Sequence, residues 1–253
     1  MSYYRFTFGS LFAGIGGFDL GLERAGMECR WQVEIDDYAT KVLEKHWPHV
    51  KRYRDICTIG AGALEPVDLI CGGFPCQDIS RAGGMAGIDK GIRSGLWREM
   101  LRVIRLVRPP FVIVENVAAL LDWGMGRVLG DLADCGFDAE WSTVSACSMG
   151  AAHMRQRVFV VAYPNGFDGW KRIWDTNARE IRSLQEIDGF QSARTRTKAR
   201  LENPSALYGG ADGIPHGMDR NRAIGNAVYP DVAEWIGRRI LMESRKEAPG
   251  IQR

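Results

Sequence analysis

The order of its apolar segments is the feature of this chain that most constrains its fold. From residue 6 to about residue 163, short strand-like apolar runs alternate with stretches whose apolar residues recur at helical spacing. The continuous apolar run 111–114 is typical of a strand buried in a parallel sheet. The runs 141–144 and 158–162 have no helix-length pattern between them, which predicts an antiparallel pair. We therefore predict an α/β fold with a doubly wound, mostly parallel sheet.

The alternation ends at Pro164. Residues 165–212 are polar and weakly periodic, and the stretch 171–200 carries eight basic and four acidic side chains. Such a stretch is either a solvated helical face or a surface for an anionic partner such as nucleic acid. Helical periodicity returns at 232–240. We therefore predict three segments, with the bounds 1–164, 165–212 and 213–253.

Composition places the chain among ordinary globular proteins, with 45% hydrophobic and 25% charged residues. No apolar run approaches the roughly 18 residues of a membrane span, and the N-terminus lacks the apolar stretch of a signal peptide. The six cysteines include no Cys-x-x-Cys pair, and His46 and His49 lack cysteine partners at zinc spacing. We predict a cytoplasmic protein without a disulfide framework, a membrane span or a metal site.

Cys76 is the first candidate for chemistry. It follows the apolar run 67–71, which Gly72 and Gly73 end, and Pro75 fixes the backbone beside the thiol. Open α/β sheets place their reactive groups at the carboxyl ends of strands, so this thiol is well placed for catalysis. The alternative is a buried structural cysteine.

A glycine-rich turn at 13–17 follows the first predicted strand and opens a helix, which is typical of a nucleotide-type site. Glu34 ends the next strand, where an acid can accept hydrogen bonds from two ribose hydroxyls. Asp19 stands in place of the third glycine of a dinucleotide fingerprint. The turn therefore favours a cofactor without a pyrophosphate.

Taken together, five segments of this chain resemble the motifs of the DNA cytosine-5 methyltransferases, in the order that the family shows. The segments are Phe12-Ala13-Gly14-Ile15-Gly16-Gly17-Phe18, Pro75-Cys76-Gln77, Glu115-Asn116-Val117, Arg155-Gln156-Arg157 and Gly225-Asn226-Ala227-Val228. The resemblance implies the S-adenosylmethionine-dependent methyltransferase fold. It also implies methyl transfer to carbon 5 of a cytosine that has been flipped out of duplex DNA.

The resemblance assigns the catalytic roles to four residues. Cys76 adds to carbon 6 of the cytosine as a thiolate, because carbon 5 is a poor nucleophile until the ring is activated. Glu115 neutralises the charge at ring N3, provided that burial keeps it partly protonated. Arg157 holds the cytosine O2 and Arg155 supports the site. A salt-bridged carboxylate at a strand end is the alternative for Glu115, and phosphate contact is the alternative for the two arginines.

The cofactor is expected to be S-adenosyl-L-methionine, which leaves as S-adenosyl-L-homocysteine. Phe12 would stack on the adenine, Glu34 would bind the ribose and Asp55 the adenine amino group. Core packing is the alternative for Phe12 and loop capping for Asp55, while Asn226 could instead tie the C-terminal segment to the sheet. The full set of candidate cofactor-binding residues is Phe12, Gly14, Gly16, Glu34, Asp55, Pro75 and Asn226.

The resemblance also divides the chain by task. It makes 1–164 the catalytic and cofactor-binding domain, 165–212 a small target-recognition region and 213–253 a segment that returns to the catalytic domain. Two departures stand out: Ser10 stands where many members carry aspartate, and Ala152-His153 replaces Pro-Gln.

The expected partner is double-stranded DNA, bound by a monomer of bacterial or phage origin that a cognate restriction endonuclease could accompany. A tRNA-directed relative and a catalytically silent DNA-binding relative are the alternatives, and the sequence does not identify the target site.

Overall fold

A computed structural model describes residues 4–75, 95–149, 156–167, 173–174 and 226–246 of the chain. In these residues seven strands form one sheet: β1 Thr7–Leu11, β2 Glu28–Val33, β3 Lys51–Tyr53, β4 Leu69–Gly72, β5 Phe111–Val117, β6 Phe137–Ser145 and β7 Gln156–Pro164. The helices are α1 Gly17–Arg24, α2 Asp37–His46, α3 Gly95–Val107, α4 Leu120–Trp123, α5 Met125–Ala133 and α6 Pro230–Lys246.

The strands lie in the order β3-β2-β1-β4-β5-β7-β6. Strands β1 to β5 are mutually parallel, whereas β7 runs antiparallel to both of its neighbours, β5 and β6. The predicted doubly wound, mostly parallel sheet and its antiparallel pair are therefore confirmed. In this topology β1 and β4 are adjacent, so the carboxyl ends of β1, β2, β4 and β5 share one edge of the sheet.

Helices cover both faces of the sheet because the buried strands are apolar on both sides. Along β5, Val112 and Val114 belong to one core cluster and Phe111 and Ile113 to the other, as the period of two requires. The first cluster includes apolar side chains of α3 and α5, and the second includes those of α1 and α6. The sheet edge that carries the predicted site is therefore supported by helices packed on both faces of the sheet.

Strand β5 extends further than its apolar run indicates. Glu115 pairs with Phe159 and Asn116 with Val158, so both polar residues lie within the strand and do not follow it. The antiparallel neighbour β7 supplies these pairings. The apolar pattern of one segment does not show which distant strand will pair with it.

Helix α6 packs closely on α1. A β-carbon at Gly21 would lie only 2.3 Å from the Pro230 carbonyl oxygen, so a residue without a side chain is needed there. The Arg24 guanidinium pairs with Asp231 at 3.0 Å beside this contact. The C-terminal helix is thereby fixed to the helix that follows the glycine-rich turn. No helix in the described ranges has the length and apolar character needed to cross a membrane.

Candidate active site

The glycine-rich turn after β1 adopts backbone conformations that side chains disfavour. Gly14 has a φ of 56° and Gly16 a φ of 85°, and the preceding Phe12 has a φ of 53°. The left-handed region costs a residue with a β-carbon on the order of 1–2 kcal/mol, which makes Phe12 a strained position. A β-carbon built on Gly14 would meet no atom within 4 Å, so this part of the turn borders open space.

Glu34 is fixed beside this turn. Its Oε2 accepts a hydrogen bond from the Gly14 N–H at 2.7 Å, and its Oε1 accepts one from the Asp36 N–H at 2.8 Å. Each carboxylate oxygen keeps a further lone pair, so Glu34 can still accept hydrogen bonds from hydroxyl groups. The structure therefore brings Gly14 and Glu34 together, although they are twenty residues apart.

Asp55 lies after β3 and caps a short 3₁₀ turn at Ile56–Thr58. Its Oδ1 accepts a hydrogen bond from the Cys57 N–H at 2.9 Å, which is the capping role that the sequence left open. Its contact with an adenine group remains a prediction.

Ile35 was not selected by sequence reasoning, yet its side chain is 66% exposed directly after Glu34. An isoleucine that follows a strand-end acid is the signal that could have identified this exposed apolar position.

The end of β4 carries the segment that leads to Cys76. A β-carbon at Gly73 would lie 2.5 Å from Glu115 Oε2, so any other residue here would force this carboxylate to move. The Asn116 side-chain amide donates to the Phe74 carbonyl at 3.0 Å. Pro75 is half-buried, and Cys76 itself lies outside the described residues. The residues just before Cys76 are therefore in contact with the β5 residues of the predicted site.

Glu115 is 7% exposed. Its Oε1 lies 3.0 Å from the Arg157 Nε, and strand register explains this contact because Val117 of β5 pairs with Arg157 of β7. The Arg157 side chain keeps 22% of its surface exposed, so the ion pair borders solvent at the sheet edge. Two predicted catalytic residues are thus brought together, whereas Arg155 lies outside the described residues.

Asn226 is exposed and begins the last described segment. Two residues later, the Val228 carbonyl lies where a side chain at Gly17 would be, at 2.3 Å from the position of its β-carbon. This contact places the C-terminal segment against the start of α1. A cofactor contact of Asn226 remains a prediction, as do the contacts of Phe12, Gly16 and Pro75.

A second buried carboxylate, Asp19 on α1, faces donors on β1 and β2. It accepts hydrogen bonds from Ser10 at 3.1 Å, from Gln32 at 2.8 Å and from the Cys29 thiol at 3.5 Å. Burial raises the pKa of the Asp19 carboxyl, although the bonds from Gln32 and Ser10 act in the opposite direction. Ser10, the departure from the family pattern, is therefore a donor to an acid on α1. Within the described ranges, no group of three or more His, Cys, Asp or Glu residues is arranged to hold a metal ion.

Comparison with known proteins identifies the family. The family model described as C-5 cytosine-specific DNA methylase matches residues 6–203, which confirms the resemblance that the five motifs predicted. The Type II methyltransferase M2.BsuMI of Bacillus subtilis strain 168 is 39% identical over 161 residues, which cover 60% of this chain and 41% of that protein. The Type II methyltransferase M.HgiCII of Herpetosiphon aurantiacus is 36% identical over 162 residues, with coverages of 62% and 37%.

This chain spans about two fifths of the length of these curated relatives. Among solved structures, the S. pombe Dnmt2 methyltransferase superposes with a TM-score of 0.66 at 15% identity, over 96% of this chain and 99% of that one. At that identity the likeness shows a shared fold.

Proposed function

Because this chain belongs to the C-5 cytosine-specific DNA methylase family, we propose that it transfers a methyl group from S-adenosylmethionine to carbon 5 of a cytosine in duplex DNA. The observation that carries the proposal is the ion pair between Glu115 and Arg157, 3.0 Å apart at the sheet edge. Gly73 and Phe74 of the segment that leads to Cys76 contact Glu115 and Asn116. This grouping of a carboxylate, a guanidinium and the segment before Cys76 supports the proposal.

The residues around the glycine-rich turn fit S-adenosylmethionine. Glu34 offers a carboxylate to ribose hydroxyls, the exposed Ile35 and the half-buried Phe12 offer apolar surface to a purine, and Gly14 leaves space for close approach. The cofactor supplies an electrophilic methyl group on a sulfonium sulfur. The remaining chemistry falls to side chains of this chain.

Cys76 is the proposed nucleophile. Its thiolate forms a bond to carbon 6 of the cytosine, and the ring electrons shift toward carbon 5 and N3 as N3 takes a proton from Glu115. Carbon 5 then takes the methyl group and loses its proton to a base. Departure of the Cys76 thiolate restores the double bond between carbons 5 and 6, and N3 returns its proton to Glu115. Each bond made to the enzyme is thereby broken again.

Glu115 and Arg157 are spaced to read one edge of cytosine. N3 and O2 are on neighbouring positions of that edge, so an acid at N3 and a guanidinium at O2 must lie side by side, as these two side chains do. We propose that the arriving base replaces the ion pair. Arg157 turns to O2, and Glu115, once it has lost its cationic partner, takes up a proton from water and turns to N3. This edge lies inside a base pair in duplex DNA, so the proposal requires that the cytosine be flipped out.

The test compares methyl transfer from radiolabelled S-adenosylmethionine to duplex DNA and to tRNA, for the wild type and for Cys76→Ser. Label in DNA that Cys76→Ser abolishes supports the proposal, and bisulfite sequencing of the product then identifies the target cytosine. Label in tRNA alone would make the chain an RNA enzyme. DNA binding without transfer to either substrate would make it a silent relative.

The proposal extends to the setting of the enzyme. We place it as a monomer in the cytoplasm of a bacterium or of a phage-infected cell, where duplex DNA is its partner and a restriction endonuclease of the same specificity could act beside it. Type II methyltransferases of Bacillus subtilis and Herpetosiphon aurantiacus, the relatives described above, support this setting.

A further inference from the structure

The segment that carries Cys76 begins and ends at one pair of aromatic rings. Phe74 precedes Pro75, and Trp97 is the third residue of α3. Their ring centroids are 5.5 Å apart with an interplanar angle of 49°, and the side chains are 3% and 1% exposed. The two residues that bracket the nucleophile segment therefore touch each other in the core.

Trp97 is held in one orientation by a hydrogen bond as well as by packing. Its indole N–H donates to Asp131 Oδ2 at 2.8 Å, and Asp131 is 7% exposed on α5. The Arg127 Nε binds the same oxygen at 2.8 Å, one helical turn earlier. The Asp131 carboxylate is thus paired with a cation and bonded to the indole, as a buried carboxylate requires. Its place on α5 fixes the direction in which the indole N–H points.

Phe74 is held from the opposite side. Its carbonyl oxygen accepts the hydrogen bond from the Asn116 amide, and Asn116 directly follows Glu115 on β5. A rotation of the Trp97 ring would therefore shift Phe74 between two fixed neighbours. Such a shift would move Pro75, the residue before Cys76, relative to Glu115.

We infer that Trp97, oriented by Asp131, is a positioning residue for the nucleophile. This inference rests on the proposed function, because it concerns the distance between Cys76 and a base whose N3 is bound by Glu115. A misplacement of about 1 Å in a reacting group can reduce the rate about a hundredfold. The inference therefore predicts a loss in the chemical step with little change in the binding of either substrate.

The variants are Trp97→Phe, which keeps a ring but removes the N–H donor, and Asp131→Asn, whose amide oxygen can still accept from the indole. Ile104→Ala is the control for core packing, because Ile104 is 1% exposed in the same helix and the same core cluster. All are assayed at a temperature where thermal melting shows each to be folded.

The first measurement is the rate at which each protein becomes covalently joined to duplex DNA that contains 5-fluorocytosine, with saturating S-adenosylmethionine. We expect Trp97→Phe to slow this rate by about tenfold or more, with affinity for S-adenosylhomocysteine and for DNA within about twofold of wild type. Asp131→Asn and Ile104→Ala should stay near the wild-type rate. An equal fall in Trp97→Phe and Ile104→Ala would mean that general core packing is responsible, which would overturn the inference.

The second measurement needs no DNA and separates this inference from the proposed function. The alkylation of Cys76 by iodoacetamide is followed by peptide mass spectrometry in the same variants. If the wild type forms no adduct with DNA, the proposed function fails, but a changed alkylation rate confined to Trp97→Phe would still support the positioning of Cys76. A Trp97→Phe variant that matches the wild type in both measurements would overturn the inference.

Discussion

Two carboxylates are buried at this end of the sheet, and their surroundings differ. Asp19 on α1 is fully buried, and its described partners are the neutral donors Ser10 of β1 and Gln32 and Cys29 of β2. Glu115 is 7% exposed beside solvent, and Arg157 lies against one of its oxygens. Burial alone therefore does not mark a catalytic acid. What distinguishes Glu115 is an exchangeable cationic partner, space reserved by Gly73 and an edge where a ligand can arrive.

Neutralising Glu115 should have the largest effect. Glu115→Gln removes the proton that we assign to cytosine N3, and proton transfer by a positioned side chain contributes about 10²–10⁴-fold to a rate. We expect kcat to fall within that range while the affinity for S-adenosylhomocysteine stays close to wild type. Single-turnover methyl transfer measures this fall. The matched change Asp19→Asn should keep activity within a few-fold, and an equal loss in both variants would erase the distinction between the two acids.

Crowding Glu115 should have the next largest effect. Gly73→Ala would place a β-carbon 2.5 Å from Glu115 Oε2, so the carboxylate or the β4 end must shift. We expect a loss of about ten- to a hundredfold in kcat, because small displacements of catalytic groups are costly. Gly130→Ala in α5 is the control, because a β-carbon at this position would meet no atom within 4 Å. This substitution should stabilise the helix by about 0.5–1 kcal/mol and leave kcat unchanged. Unchanged activity in Gly73→Ala would show that Glu115 needs no reserved space.

The smallest effect is on stability and concerns Asp19. Burial raises the pKa of this carboxyl in the folded state above its ordinary value of 3.8, so folding favours the protonated form. The wild type therefore loses stability as the pH rises from about 3.8 through the raised value, whereas Asp19→Asn does not titrate. We expect Asp19→Asn to be more stable at neutral pH by about 1 kcal/mol, with the difference shrinking toward pH 4.

Denaturant titrations across this pH range measure the difference between the two proteins. If the difference in unfolding free energy between wild type and Asp19→Asn stayed constant with pH, the Asp19 carboxyl would not be the titrating group. Neither Cys29 nor Cys71 complicates this range, because burial raises the pKa of both neighbouring thiols above their ordinary value of 9.0.

Sequence reasoning predicted much of this arrangement because the relevant signals are local. Apolar runs that end in glycine or in an acid located the carboxyl ends of β4 and β5, and Glu115 and the segment before Cys76 do meet there. Features that depend on distant pairings were missed. Nothing near Asp19 indicates that Ser10 and Gln32 would both donate to it, and the contact between Phe74 and Trp97 spans the whole nucleophile segment.

The pairing of β5 with β7 was missed for the same reason. The last residues of β5 are polar, and they are held as a strand by hydrogen bonding to β7 rather than by apolar burial of their own. This pairing bears on the proposed site, because it holds Glu115 and Asn116 on a strand and aligns Arg157 beside them. A site on strands can hold its geometry more precisely than a site on a loop.

The central claim is that Cys76 becomes covalently bonded to the target base. It is tested most directly by the intact mass of the protein after incubation with S-adenosylmethionine and duplex DNA that contains 5-fluorocytosine. The fluorine replaces the proton that must leave carbon 5, so the adduct cannot resolve. We predict a stable complex whose mass is that of protein, DNA strand and one methyl group, with the link mapped to Cys76. Methyl transfer to ordinary DNA without any such complex would contradict the account.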